Sequence, residues 1–112
     1  MIEAQAKLPG LERIRARFLD MLVERLGDID RLCDPELSGL GPREALEQVQ
    51  AILHKIAGTA GTLGMTQLGD TARNGENTII SYLGTGKPGN EAVYRSVAEF
   101  IILAEETLDA ED

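Results

Sequence analysis

The chain contains a single histidine, His54, on a segment whose periodicity fixes where its side chain points. From Pro42 to Leu63, the residues Val49, Ile52, Leu53, Ile56, Ala60 and Leu63 recur at spacings of three and four. They mark the buried stripe of an amphipathic helix. At about 100° per residue, His54 projects well over a quarter-turn from the centre of that stripe, toward solvent. Its neighbours on the same side are Gln50, Ala51, Ala57, Gly58 and Gly61, so the imidazole is predicted to stand in a clearing of small side chains. A glycine inside a helix costs about 1 kcal/mol relative to alanine. Placing Gly58 and Gly61 there implies that another protein must come close to this histidine.

Counting ligands and motifs removes most histidine chemistries. A zinc site needs three or four ligands, and one histidine with one distant cysteine, Cys33, falls short unless carboxylates assist. No serine or cysteine occupies a nucleophile elbow, so a hydrolytic triad is not expected. The glycines of residues 58 to 64 follow a helix and do not match GxxxxGK[ST], so no ATP site and no cofactor are expected. What remains is the imidazole as nucleophile. A neutral imidazole has a ring nitrogen free to attack. A phosphohistidine is labile enough to pass its phosphoryl group on, and in-line transfer needs room for two proteins around the phosphorus. The glycine clearing offers that room, and Lys55, next in sequence, adds positive charge near the phosphoryl oxygens.

Four long helical patterns must position this residue. They cover about residues 8–32, 42–63, 66–83 and 90–108. The first carries Leu11, Ile14, Phe18, Met21, Leu22, Ile29 and Leu32 on one face, and Asp34-Pro35 ends it ahead of a connector. Pro42 suits the first position of the His54 helix. The chain turns near Gly64, and Thr66 is the predicted N-cap of the third helix, with Leu68, Ala72, Gly75, Ile79 and Leu83 facing inward. A glycine-rich loop of residues 84–89 leads to the fourth, which buries Val93, Val97, Phe100, Ile101, Ala104 and Leu108. Residues 1–7 either add a short extra N-terminal helix or stay loose, and the last four residues should fray. Helices of this length joined by short loops pack as antiparallel neighbours. The expected fold is all-α, an up-and-down four-helix bundle forming a single domain over residues 1–112. His54 precedes the Gly64 turn by about 15 Å of helix, which sets it level with residues 73 to 77 of the third helix. Arg73 and Glu76 lie on one flank there, and either reaches the imidazole if that flank faces it.

Composition agrees with this architecture. Hydrophobic residues are 43% and charged residues 27%, as in an ordered globular domain, while aromatics are only 4%, leaving a core of Leu, Ile, Val and Ala. The net charge of −8 speaks against a nucleic-acid surface. No apolar run reaches the length of about 20 residues that a membrane span needs, and the N-terminus lacks signal-peptide character. The cytoplasm and a monomer are the expectations.

The run His54-Lys55-Ile56-Ala57-Gly58-Thr59-Ala60-Gly61-Thr62-Leu63-Gly64 resembles the signature of histidine-containing phosphotransfer (HPt) domains. In that family the phosphoacceptor is followed four residues later by Gly, and six residues after that by another. Leu68, Asp70, Ala72, Arg73 and Glu76 resemble the family's next helix, so the likeness spans essentially the whole chain. It implies a relay of phosphoryl groups between aspartates of response-regulator receiver domains, one of them belonging to a hybrid histidine kinase, with Mg2+ held by the receiver. Family members often carry lysine three residues after the histidine, where this chain has Ala57, and Lys55 is the candidate replacement. The position of Glu76 often holds a polar residue that contacts the imidazole. The candidate site is therefore His54 as acceptor, with Lys55, Gly58, Gly61 and Glu76 around it. Two alternatives stand beside the relay carrier. One is an interaction module of the same shape that binds a receiver without being phosphorylated. The other, a dimerisation domain of a histidine kinase, fits less well, because such domains have two helices per chain and an acidic residue in place of Lys55.

Overall fold

The computed structural model describes residues 9–111; the region suggested for an extra N-terminal helix lies outside them. The described chain forms helices α1 (Pro9–Leu32), α2 (Pro35–Ser38), α3 (Pro42–Thr62), α4 (Thr66–Thr85) and α5 (Asn90–Ala110). The four long helices make an antiparallel bundle. The most extensive packing is α3 on α4, then α4 on α5, and α1 closes the bundle against α3 and, more lightly, α5. The one element beyond the predicted set is the single-turn α2 in the connector. The Asp34 carboxylate accepts from the Glu36 N–H at 2.9 Å and Pro35 takes the first helical position, so Asp34-Pro35 starts a turn as well as ending α1.

The α3–α4 turn is a Schellman motif. Met65 N–H donates to Ala60 C=O at 2.8 Å and Gly64 N–H to Gly61 C=O at 3.2 Å, with Gly64 at φ +80°. Met65, buried, takes the N-cap position of α4 with no side-chain capping bond, so Thr66 begins the helix and does not cap it, contrary to the sequence reading. The two C-terminal boundaries also fall later than predicted. Gly86, in the left-handed conformation, ends α4 by donating to Tyr82 C=O, and α5 continues to Ala110.

Phe18, Leu22 and Ile29 of α1 join Val49, Leu53 and Ile56 of α3, Ile79 of α4, and Val93 and Phe100 of α5 in one core. Leu11 and Ile14 do not join it, being 39% and 53% exposed. Arg15 pairs with Glu111 just beyond the end of α5, so the residues before Arg15 run past that end of the bundle. Helical phase aims these side chains correctly, but no described helix extends far enough to receive them.

Candidate functional site

His54 lies in the second half of α3 with its side chain 70% exposed. Its Nδ1 is 2.7 Å from Oε2 of Glu76 on α4, whose side chain is only 8% exposed. A carboxylate can only accept, so the facing ring nitrogen carries the proton and Nδ1–H donates. Gln50, one turn before His54, donates from Nε2 to the same oxygen at 3.3 Å. Nε2 of the imidazole makes no hydrogen bond among the described residues. The ring is thus held by one nitrogen and presented to solvent by the other.

Burial of the Glu76 carboxylate follows from how closely α3 and α4 approach. A Cβ on Gly69 would stand 3.2 Å from the Ala57 carbonyl oxygen and 3.3 Å from the Gly61 amide nitrogen, and one on Gly75 would meet Leu53 Cδ1 at 3.0 Å. Gly69, Ala72 and Gly75, three apart, form a strip of minimal side chains on α4, which lets the helices draw together. Glu76, beside that strip, is then covered by α3 and aimed at His54. Sequence reasoning put Ala72 and Gly75 on the inward stripe and Gln50 beside His54, but it missed Gly69, the close helix approach and the hydrogen bond from Gln50 to Glu76. The three-residue spacing of Gly69, Ala72 and Gly75 was the available signal.

The clearing around His54 is smaller than expected in one respect. Ala57 is 2% exposed and belongs to the α3–α4 contact, because α4 covers a wider arc of α3 than the large apolar residues mark. Gly58 and Gly61 are exposed, and a Cβ at either would find no atom within 4 Å. Packing therefore does not require either glycine. With Lys55, Thr59 and Thr62, Gly58 and His54 line a shallow, open depression. Lys55 is exposed and forms no ion pair among the described residues, and Arg73 is likewise exposed and unpaired there. The structure thus brings Glu76 into contact with the imidazole and sets Lys55 in the depression beside it, while Arg73 is exposed on α4. No described helix is long and apolar enough to cross a membrane.

A family model described as the Hpt domain matches residues 13–110, and the chain belongs to that family. Membership gives it a general role in histidine phosphotransfer of two-component signalling, in which such domains interact with receiver domains and kinases. No curated protein and no solved structure matches the chain.

Proposed function

We propose that this chain is a phosphorelay carrier. In this reading His54 accepts a phosphoryl group from the aspartyl phosphate of one receiver domain, that of a hybrid histidine kinase, and passes it to the aspartate of another. The observation that carries the proposal is the division of labour between the two ring nitrogens, with Nδ1–H tied to buried Glu76 and Nε2 open to solvent.

The transfer balances without an added base. The Nε2 lone pair attacks phosphorus and forms an N–P bond while the aspartyl P–O bond breaks, its electron pair returning to the carboxylate. Nδ1 keeps its proton, so the phosphorylated ring is formally cationic, and the adjacent Glu76 carboxylate offsets that charge at short range. The reverse sequence delivers the group to the next receiver. Mg2+ belongs to the receiver's side of the interface. Gly58, without a side chain beside His54, leaves space for the incoming aspartyl phosphate.

The test is incubation with a phosphorylated receiver domain, followed by measurement of acid-labile, base-stable phosphate on the chain. Wild type should become labelled. His54→Gln should not, while keeping its fold and its binding to the receiver, because the side chain is largely exposed and a glutamine amide is still a donor for Glu76, so the stability cost should stay within about 1–2 kcal/mol. Binding of the receiver by wild type with no label would favour the non-phosphorylated interaction module.

A further inference from the structure

If His54 carries a phosphoryl group, a cation should meet its oxygens, and Ala57 supplies none. The register between α3 and α4 shows which side chain can. Glu76 faces His54, and Gly69, seven residues earlier, lies against the turn of α3 between the Ala57 carbonyl and the Gly61 amide. The antiparallel helices therefore set Arg73 within one turn of His54, close to the level of Ala57. That is about 4.5 Å along the axis from His54, within the span of an arginine stem.

Orientation favours the same residue. Arg73 is three before Glu76, which puts it on the neighbouring, outward edge of the α4 face that holds the imidazole. The bond from Nδ1 to Glu76 anchors the ring at the edge of α4 and leaves Nε2 facing solvent. Lys55, about 100° around α3 from His54, stands on the side away from α4. Ala57 is tucked into the helix contact and Gly58 and Gly61 are bare, so none of these three positions puts a side chain between Arg73 and the imidazole. The acids nearest Arg73 on its own helix are Asp70 and Glu76, and it forms an ion pair with neither. Its guanidinium has no partner among the described residues, and it offers a planar fork of donors suited to two phosphoryl oxygens at once.

We propose that Arg73, reaching across from α4 over the bare floor made by Gly58 and Gly61, is the residue that binds the phosphoryl group on His54 Nε2. This rests on the reading of His54 as acceptor. The experiment phosphorylates wild type, Arg73→Ala, Arg73→Lys and Lys55→Ala with phosphoramidate, and titrates the phosphoryl group by 31P NMR. Loss of the guanidinium should raise the second ionisation of the phosphoryl group and slow acceptance on the order of fivefold. Arg73→Lys should restore part of both, and Lys55→Ala should have a smaller effect than Arg73→Ala. In wild type the Arg73 Nε–H resonance should move on phosphorylation. Labelling of His54 with an Arg73→Ala titration and rate equal to wild type, or a larger effect from Lys55→Ala, would overturn the proposal. Failure of wild type to become labelled at His54 would count against the acceptor reading itself.

Discussion

His54 Nδ1 and Glu76 Oε2 are 2.7 Å apart, yet one side chain is 70% exposed and the other 8%. A buried carboxylate is costly unless paired, and among the described residues its partners are the Gln50 amide and this imidazole, which is cationic only when protonated or phosphorylated. The arrangement is better matched to the phosphorylated state than to the resting one. Replacing Glu76 by Gln keeps the volume and removes the charge. The resting fold should hold or gain up to about 1 kcal/mol, while phosphoryl acceptance should slow roughly five- to tenfold, the difference between a charge-assisted and a neutral hydrogen bond. Urea unfolding and transfer kinetics on the same variant check both halves. Lower stability with an unchanged rate would make Glu76 a structural residue.

Gly58 and Gly69 should respond in opposite directions to the same substitution. Gly58→Ala adds a methyl to open space and should stabilise α3 by up to about 1 kcal/mol. Gly69→Ala sets its methyl against backbone atoms of Ala57 and Gly61 and should destabilise by about 1–3 kcal/mol despite better helix propensity. A bulky Gly58→Leu should leave stability close to wild type and slow transfer from a receiver by obstructing its approach. Thermal denaturation of the two alanine variants, with transfer assays on the leucine variant, checks the set.

The Arg15–Glu111 pair ties the start of α1 to the end of α5 across 2.9 Å. Arg15 holds the Glu111 carboxyl below its usual value, by hydrogen bonding first and by charge second. A depressed carboxyl contributes stability above its unfolded pKa and loses it as pH falls through the folded one. Wild type should therefore exceed Arg15→Ala slightly in melting temperature at pH 7, and the two curves should converge below the carboxylate range. Both side chains are about one-third exposed, so solvent screens the pair, and the difference should be small and should shrink further in high salt.

Helix periodicity made most of this legible in advance. The exposure of His54 and the burial of Leu53, Ile56 and Ile79 all follow from spacings of three and four in the sequence. The level of Glu76 opposite His54 followed from helix rise alone. Its burial did not, because that depends on how closely two axes approach, and closeness is set by the missing side chains of Gly69 and Gly75 on a different helix. Ala57 was misplaced for the same reason. A small residue leaves little trace in an apolar stripe, although α4 covers it almost completely. Leu11 and Ile14 failed differently, since phase gives the direction of a side chain and not the length of the neighbour that should cover it.

The most direct test of the account is which nitrogen carries the phosphoryl group. In protein labelled with 15N at its single histidine and phosphorylated by a receiver domain, 31P–15N coupling identifies the bonded atom without any mutation. The geometry predicts one phosphohistidine, with phosphorus coupled to Nε2 of His54 and a proton retained on Nδ1 beside Glu76. Coupling to Nδ1, or phosphorus on any residue other than His54, would contradict it.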